Sequence, residues 1–489
     1  MNDVNPHDSE LDLGKAAGQG LHRRDFLKFT LAAGFAVPLT GTLTSCATGG
    51  GSSSGAASGG AAAPGGAKSD KNPFGIDEKA AVDVVIFKGG FSDQYAIDAG
   101  AAYNTVWGGQ TAKVTSTTKI NTELQPRLVG GNPPDVIDNS GADHIPFAGI
   151  QAQVEPLDDI LEAPAVGFEG RKVKDTLITG ATTPGTYDGK LLELNYFYTV
   201  FGLWYGAKVF KDNGWEPPKT WADVMALGDK AKAKGMSLFV FGGQNAGDYY
   251  HELALSMAAR MGGADVVKKL DNLDPDGYAQ PAVKAALEAI ESAVKAGHFL
   301  PGGSGLIHTQ AQTQFVQGKA LLYPSGSWLE NEMKDIAPAD FAMTCLQAPA
   351  MGADVKLQKG FHGAAGEPFI VPRGKNPAGG KEYLRQLLSK DSASNTSKLV
   401  KSATIVKGTV PPDGFGSSAL ASATRIQTEG ESEVFTWRYN AVYAMGKELK
   451  TTWSTFLSGG MSSADLTKKL QSMSDKVRDD PSVKKFKVA

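Results

Sequence analysis

The sequence is best read outward from residues 187–221, YDGKLLELNYFYTVFGLWYGAKVFKDNGWEPPKTW. An apolar run, 191–205, lies between a turn signal at Asp188-Gly189 and a segment at 207–213 that we expect to be helical. The run is dense in aromatic side chains: Tyr196, Phe197, Tyr198, Phe201, Trp204 and Tyr205. So many rings are unusual for a core strand. We therefore predict that this run is a hinge between two lobes, with some rings lining the gap.

The residues that follow the run carry clear signals for helix ends. Gly214 can end the helix at 207–213, because glycine accepts the left-handed conformation that a helix end needs. Pro217-Pro218 then prevents further helix. Thr220 is predicted to cap a new helix that begins at Trp221.

Composition and charge narrow the class of protein. A chain of 489 residues with 41% hydrophobic side chains can bury a large core in two or more folding units. A formal net charge of −3 offers no electrostatic attraction to nucleic acid or to an anionic membrane surface. A structural zinc site would need more Cys and His than this chain groups together anywhere, and of the two cysteines, Cys46 and Cys345, we interpret Cys345 as an inert buried thiol.

The N-terminal segment has the features of an export signal. Arg23-Arg24 precedes an apolar stretch, 29–43, that is short for a bilayer span, and a Leu-x-x-Cys pattern ends at Cys46. We predict that residues 1–46 are a twin-arginine-type lipoprotein signal peptide with Cys46 as the lipidated residue. An uncleaved anchor is the alternative. Residues 47–72, rich in Gly, Ser and Ala, are then a flexible tether that holds an outward-facing body.

The first part of that body alternates between strand and helix patterns. We predict strands at 82–88, 113–118 and 135–138, with helices at 91–103 and 122–129. This alternation indicates an α/β fold with a mainly parallel sheet. Ligands of such sheets bind beyond the carboxyl ends of the strands. Residues 89–93 and 139–143 are therefore candidates for the rim of a site.

The remainder of the chain follows the same α/β pattern. Helices are predicted at 221–234, 249–261, 280–296, 309–317, 381–390, 392–401 and from 431 onward, with strands at 238–241, 319–324 and 341–348. Gly326-Ser327-Trp328 is predicted to open a further helix. The glycine-rich segment 361–372 is predicted to cross between the lobes and to continue as a strand.

Three groups of residues resemble the motifs of one protein family. They are Gly131-Asn132-Pro133-Pro134-Asp135-Val136, then Leu203-Trp204-Tyr205 with Pro217-Pro218-Lys219-Thr220-Trp221, and Gly318-Lys319-Ala320 with Gly326-Ser327-Trp328. Together, behind a lipoprotein signal, they resemble extracellular solute-binding lipoproteins of carbohydrate ABC transporters. Among these the chain is most similar to the actinobacterial proteins for N-acetylglucosamine and diacetylchitobiose.

The resemblance implies a two-lobed, periplasmic-binding-protein-like fold. Lobe 1 would be 73–195 plus 364–401, and lobe 2 would be 196–363 plus 402–489. The crossings would lie near 195–198, 363–366 and 402–407.

A sugar site needs flat aromatic platforms surrounded by hydrogen-bonding side chains. The resemblance assigns the platforms to Trp328 and Trp437. The alternatives are a tryptophan that packs on the sheet and a core helix, respectively. The other candidate ligand contacts are Asp93, Asn139, Ser140, Tyr198, Asn245, Asp248, Tyr249, His362, Glu367, Arg438 and Asn440. Asp93 is equally able to cap a helix, and His362 is equally able to be a buried, satisfied histidine.

The resemblance implies a monomeric binding protein without cofactor, metal or catalytic activity. It would capture a mono- or oligosaccharide between its lobes and deliver it to an ABC permease, touching the membrane through its lipid alone. A lipid-anchored glycoside hydrolase is one alternative. It would need two carboxyl groups about 5–9 Å apart, with Asp135, Asp138 and Glu193 as candidates. A surface lipoprotein that binds no sugar is the other.

Overall fold

The computed structural model describes residues 66–109, 111–141 and 143–488, without the side chain of Ala148. The predicted signal peptide, Cys46 and most of the tether lie outside these residues. Within them, no helix is both long enough and apolar enough to cross a membrane.

The strands form one large mixed sheet and a small hairpin. In the large sheet the order is β2-β1-β3-β10-β6-β8-β7, with β11 beside β10 and β9 beside β6, and β4 pairs with β5 in the hairpin. The strands are β1 Val82–Phe87, β2 Ala112–Thr117, β3 Val136–Asp138, β4 Thr186–Tyr187, β5 Lys190–Leu191, β6 Leu194–Gly206, β7 Ser237–Phe239, β8 Ala320–Gly326, β9 Met343–Leu346, β10 Phe361–Ile370 and β11 Val434–Phe435.

Helices connect the strands and cover the sheet. They are α1 Gln94–Trp107, α2 Ile120–Val129, α3 Phe147–Ile150, α4 Asp158–Glu162, α5 Val173–Thr176, α6 Ala207–Asn213, α7 Trp221–Ala233, α8 Tyr249–Gly262, α9 Asp265–Asp271, α10 Pro281–Lys295, α11 His308–Val316, α12 Leu329–Met333, α13 Pro377–Leu387, α14 Lys390–Val400, α15 Ser418–Glu429, α16 Tyr439–Val442, α17 Gly446–Leu457 and α18 Ser463–Asp479.

The pairing direction changes from the ends of the sheet to its centre. At one end β1 runs parallel to β2 and β3, and at the other end β7 runs parallel to β8. The long central strands β6 and β10 pair antiparallel with each other, from Leu194↔Phe369 to Phe201↔His362. Parallel strands place their carboxyl ends at the same edge. Each end of the sheet therefore offers one rim of loops for a site.

A third segment of chain lies beside the central pair. The Tyr198 N–H donates to the Ala403 carbonyl at 2.9 Å, and the Ile405 N–H donates to the Tyr196 carbonyl at 2.9 Å. Strands β6 and β10 and residues 403–405 thus run side by side through the middle of the molecule. The exact lobe boundaries remain a prediction.

The local helix signals after the aromatic run are confirmed. Gly214 has φ +65° after α6. The Thr220 hydroxyl accepts the Asp223 N–H at 3.1 Å, and the Asp223 carboxylate accepts the Thr220 N–H at 2.9 Å, which forms a capping box at the start of α7. These bonds join residues three apart, so the sequence alone is enough to predict them.

The prediction of continuous helix from residue 431 onward was wrong. After one short 3₁₀ turn, Glu431–Glu433, the chain forms strand β11, in which Val434 and Phe435 pair in parallel with Phe361 and His362 of β10. This long-range pairing satisfies backbone groups that a helix would otherwise bond locally. Helix α15, which packs on β9, was not predicted. In addition, α1 begins at Gln94, three residues later than the helix predicted at 91–103.

The core lies on both sides of the sheet. Helices α8 and α10 pack together over the half that contains β7 and β8, through side chains such as Leu253 and Leu287. The Cys345 thiol is buried in β9, and burial raises its pKa well above the ordinary value. The expectation of a buried cysteine is confirmed, and a thiol that stays protonated is a poor nucleophile.

Candidate functional site

Trp328 lies directly after the carboxyl end of β8, at the start of α12. Its half-buried indole meets Phe201 of β6 at 5.5 Å and Tyr249 of α8 at 6.2 Å between ring centroids, both edge to face. A Cβ on Gly326 would stand 2.1 Å from the indole. Glycine at this position is therefore required for the ring to lie where it does.

Trp437 follows β11 and is 5% exposed. Its indole stacks on the His362 imidazole at 3.7 Å, and the opposite face of His362 stacks on Phe201 at 4.3 Å. The backbone next to Trp437 is anchored, because the buried Asp271 carboxylate accepts the N–H groups of the next two residues at 2.8 Å each. We call Phe201, Tyr249, Trp328, His362 and Trp437 the aromatic rim.

Acidic groups on α8 adjoin the aromatic rim. Asp248 precedes the first residue of α8, and its Oδ1 is buried without a hydrogen-bond partner. Burial raises the pKa of Asp248 to about 7, and Glu252 adds to this while Lys450 opposes it. One turn further on, Glu252 Oε2 lies 3.1 Å from His362 Nδ1. Burial likewise raises the pKa of the Tyr249 phenol. At least one carboxylate oxygen beside the aromatic rim, Asp248 Oδ1, is therefore free to accept a hydrogen bond from a ligand.

The remaining candidates on this side are occupied by contacts within the protein. Asn245 connects the loop before α8 to the start of α11. Its side chain bonds both the ring Nδ1 and the backbone N–H of His308 at 2.8 Å. The Arg438 guanidinium reaches the Thr183 carbonyl at 3.4 Å and lies over the Phe486 ring. The Asn440 carboxamide accepts a nearby backbone N–H. The side chains of Asn245, Arg438 and Asn440 therefore make contacts within the protein and lie outside the aromatic rim.

A second group of site candidates meets at the carboxyl end of β3. Ser140 donates to Asp138, and the Tyr95 hydroxyl reaches the same carboxylate at 3.4 Å. Burial raises the pKa of Asp138 well above its usual range, and the neighbouring Glu367 carboxyl raises it further. Burial also raises the pKa of Glu367, while Ser140 opposes the shift. We call Tyr95, Asp138, Ser140 and Glu367 the acidic rim.

Glu367 has an unusual backbone. Its φ is +58°, in the middle of β10, where a non-glycine residue is strained. Strain of this kind persists only where the surrounding structure over-determines it, and it concentrates at binding sites. Among the residues of the acidic rim, Glu367 therefore has the backbone conformation that is most typical of a binding site.

Asn139 and Asp93 stabilise the loops near the acidic rim. The Asn139 carboxamide bonds both backbone groups of Ile145, at 2.8 and 2.9 Å, and is buried. Asp93 does not cap α1; it accepts from the Ser116 hydroxyl at 2.5 Å and pairs with Lys88 at 3.3 Å. These bonds, led by Ser116, lower the pKa of Asp93.

Tyr198 is buried, with 3% of its surface exposed. Its phenol packs against Gly363, since a Cβ on that glycine would stand 2.3 Å from the hydroxyl. The backbone of Tyr198 bonds Ala403. Tyr198 thus holds the three central segments together.

The carboxyl groups proposed for a hydrolase are engaged in structural bonds. Asp135 accepts the N–H groups of Asp83 at 2.8 Å and Asn376 at 3.2 Å. Glu193 accepts the Tyr187 hydroxyl at 2.7 Å. Burial raises the pKa of both groups. Among the described residues, no three His, Cys, Asp or Glu side chains are grouped to hold a metal ion.

Sequence reasoning did not predict four of these residues as ligand contacts: Phe201, Tyr95, Asp138 and, beside the aromatic rim, Glu252. Asp138 was considered only as a carboxyl group of a hydrolase. Glu252 had a detectable signal, because it lies four residues after Asp248 and so shares one face of a predicted helix. Phe201 was noted only as one of many rings in the central run. Tyr95 carried no local signal, since its partner Asp138 is 43 residues away.

The comparisons with known proteins agree with this geometry. The family model described as bacterial extracellular solute-binding protein matches residues 100–422. The chain belongs to this family. The diacetylchitobiose binding protein NgcE of Streptomyces coelicolor is 44% identical to it over 429 residues, which cover 87% of this chain and 91% of the relative. The family assignment drawn from the sequence is thereby confirmed.

Solved structures of other proteins share the fold. A chitin oligosaccharide binding protein superposes with a TM-score of 0.58 at 19% identity, covering 78% of this chain and 93% of its own. The apo form of RafE from Streptococcus pneumoniae gives a TM-score of 0.62 at 16% identity, covering 81% of this chain and 98% of its own. The predicted α/β fold of the solute-binding type is confirmed.

Proposed function

We propose that this chain is the carbohydrate-binding component of an ABC importer and that it binds N-acetylglucosamine, N,N′-diacetylchitobiose or both. The sugar is held between the aromatic rim and the acidic rim and is then delivered to a permease. The observation that carries the proposal is the half-buried Trp328, fixed on Gly326 at the carboxyl end of β8. The 44% identity to a diacetylchitobiose binding protein supports the choice of sugar.

The two rims suit a sugar for different reasons. An indole offers an apolar face to the C–H groups of a pyranose ring. Carboxyl groups such as Asp248 and Glu367 accept or donate hydrogen bonds to hydroxyls and amides, depending on their protonation. Both rims lie along the β6–β10 pair, His362 and Glu367 being five residues apart, which corresponds to about 17 Å along a strand.

A binding role is favoured over hydrolysis. A glycosidase needs one carboxyl group that protonates the leaving oxygen and a second that attacks or activates water. Asp135 and Glu193 are tied to neighbouring groups, and Asp138 accepts hydrogen bonds from the Ser140 and Tyr95 hydroxyls. Membership of a solute-binding family supports the same choice.

The cellular setting follows from the N-terminal signals. We infer that Cys46 is lipidated and anchors the mature protein to the outer face of the cell membrane. The segment after Cys46 is rich in Gly and Ser and would let the body reach a permease as a monomer.

A titration of the mature protein, from Cys46 onward, tests the proposal. We expect N,N′-diacetylchitobiose to change tryptophan fluorescence and to release heat in calorimetry, with the sugar recovered intact after hours of incubation. Cellobiose is the matched control, because it has the same linkage without acetamido groups, and it should bind more weakly. Loss of the disaccharide would indicate a hydrolase. No response to a broad sugar panel would indicate a lipoprotein that binds no sugar.

A further inference from the structure

Each tryptophan of the aromatic rim is followed closely by a side chain that bonds a distant backbone carbonyl. Three residues after Trp328, the Asn331 carboxamide donates to the Gly90 carbonyl. Directly after the second tryptophan, the Arg438 guanidinium donates to the Thr183 carbonyl at 3.4 Å. Both carbonyls belong to the part of the chain that precedes β6. We call these two bonds the end contacts.

The first end contact reaches the loop that follows β1. In this loop the Ser92 N–H donates to the Gly89 carbonyl at 3.0 Å, which forms a tight turn around Gly90. Phe91 stacks on Phe197 of β6, with 4.0 Å between the ring centroids. Strand β1 is the parallel neighbour of β3, which carries the acidic rim, so Gly90 lies at the same edge of the sheet as that rim. The first end contact therefore joins the two rims.

Helix α12 is anchored on both sides of Asn331. The Ser417 hydroxyl at the start of α15 donates to the Glu330 carboxylate at 2.5 Å. The Gln312 carboxamide of α11 donates to the Glu332 carboxylate at 2.7 Å. These bonds hold Asn331 in place together with the tryptophan at the start of the helix.

The second end contact is part of a larger cluster. The Arg438 guanidinium lies over the Phe486 ring at 5.8 Å, and Phe486 meets the Tyr187 ring edge to face at 6.5 Å. The Arg438 N–H is held by the Asp271 carboxylate at 2.8 Å. Tyr187 lies four residues after Thr183, so one short stretch of chain before β6 is contacted twice.

The rings of the aromatic rim limit the distance between its two tryptophans. Ring centroids are 5.5 Å apart from Trp328 to Phe201, 4.3 Å from Phe201 to His362 and 3.7 Å from His362 to Trp437. The two indoles are therefore no more than about 14 Å apart. A disaccharide spans a distance of this order. Since β-1,4-linked N-acetylglucosamine forms an extended chain, a third and a fourth unit would extend past one tryptophan and reach an end contact.

We propose that the two end contacts limit the length of the sugar, so that the site takes one or two N-acetylglucosamine units and binds longer chains more weakly. Both contacts form around a disaccharide, whereas a longer chain prevents one of them from forming. Binding of the longer chain then lacks the free energy of that contact. Asn331 and Arg438 are thus specificity-determining residues. This inference rests on the proposed function.

Calorimetry of the mature protein with sugars of two lengths tests the limit. We expect N,N′-diacetylchitobiose to bind about tenfold more tightly than the fully acetylated chitotetraose, because one hydrogen bond of an end contact contributes a free energy of about this order. The comparison uses the wild-type protein alone, so it does not depend on the folding of any variant.

Variants of the end contacts test which residues set the limit. In Asn331→Ala and in Arg438→Ala, the ratio of the two affinities should fall close to one. The longer chain can then leave the site through the end at which no contact remains to be lost, while the disaccharide loses that contact as well. Circular dichroism establishes that each variant is folded. Where an alanine variant does not fold, Asn331→Leu or Arg438→Met replaces it, because each keeps the size of the side chain without its donors.

Two substitutions away from both rims are matched controls. The Arg171 guanidinium lies over the Phe168 ring at 5.7 Å, in the same way as the arginine of the second end contact lies over its phenylalanine. The Asn213 carboxamide donates to the Val209 carbonyl at 2.8 Å. Arg171→Ala and Asn213→Ala should therefore keep the wild-type ratio of the two affinities.

The outcomes separate this inference from the proposed function. Equal affinity of the wild type for the two sugars would overturn the length limit while the proposed function stands. A preference for the disaccharide that persists in both Asn331→Ala and Arg438→Ala would overturn the role of the end contacts. Binding of neither sugar would overturn the proposed function, and this inference with it.

Discussion

The two rims of the molecule differ in how completely the polar groups around them are used. In the acidic rim, Asp138 receives bonds from Ser140 and Tyr95, and the nearby Asn139 amide bonds both backbone groups of Ile145. Beside the aromatic rim, the buried Asp248 Oδ1 has no hydrogen-bond partner among the described residues. Buried polar groups in proteins are nearly always satisfied. We therefore propose that a ligand supplies the missing bond beside the aromatic rim.

The acidic rim also differs from the aromatic rim because it contains a residue with a strained backbone. Its Glu367 has a left-handed backbone and a carboxyl group close to that of Asp138. Two neighbouring carboxyl groups removed from water cannot both be charged without cost. We propose that this rim is a rigid floor, whereas the aromatic rim recognises the sugar.

The largest expected effect comes from removing the half-buried indole of Trp328. Trp328→Ala should weaken binding of N,N′-diacetylchitobiose by roughly 1–3 kcal/mol, because a stacking ring contributes about that much. Trp215→Ala is the matched control, since Trp215 is also half-buried but packs against Phe210 and Lys234. Equal affinities of wild type and a folded Trp328→Ala would remove Trp328 from the site.

The second effect concerns pH and stability. The pKa of Asp248 is about 7 in the folded protein and near 3.8 when unfolded, so the folded state binds more protons between these values. Stability therefore falls as pH rises from about 4 to 7. Asp248→Asn should remove this slope and stabilise the protein at pH 8 by about 1–2 kcal/mol.

Urea unfolding at pH 4, 6 and 8 measures the effect. Asp93→Asn is the contrasting variant, because the pKa of Asp93 is lowered in the folded state. Removing the Asp93 carboxylate should lower the free energy of unfolding at pH values above the pKa that Asp93 has in the unfolded chain. A parallel pH profile for wild type and Asp248→Asn would show that Asp248 is not buried as described, and would weaken the contrast between the rims.

The third effect tests the strain in the acidic rim. Glu367→Gly should raise stability by about 1 kcal/mol, because glycine adopts positive φ without penalty and no carboxyl group remains to be buried. Ala444→Gly, at φ +53°, is the control for backbone relief alone. If sugar affinity falls in Glu367→Gly but not in Ala444→Gly, the acidic rim also contacts the sugar. A loss of stability in Glu367→Gly would contradict the assignment of strain.

The smallest effect concerns the C-terminal residues, which lie outside both rims. Lys484 pairs with Asp188 at 3.0 Å, and the Phe486 N–H donates to the Tyr443 hydroxyl at 3.0 Å. Lys484→Ala should change stability by no more than about 0.5 kcal/mol, since both charges are exposed. Thermal unfolding at low and high salt measures this. A larger, salt-sensitive loss would show that the ion pair stabilises the fold more than exposed pairs usually do.

The sequence by itself determined the α/β class, the caps at Gly214 and Thr220, and the position of Trp328 after Gly326. These features depend on hydrogen bonds and steric limits among residues a few positions apart, or on the apolar pattern of single elements. The family motifs are of the same kind, since each is a short run of neighbouring residues. The sequence did not predict β6 as a buried core strand, because so many rings are unusual in such a strand.

Only the tertiary structure decided which candidates meet. Phe201, His362 and Trp437 form one stack although they are far apart in the chain, and β11 replaced a predicted helix because it pairs with β10. The raised pKa values of Asp138 and Asp248 likewise depend on burial by distant segments. Long-range packing brings such groups together and removes their water, and no local pattern in the sequence specifies either result.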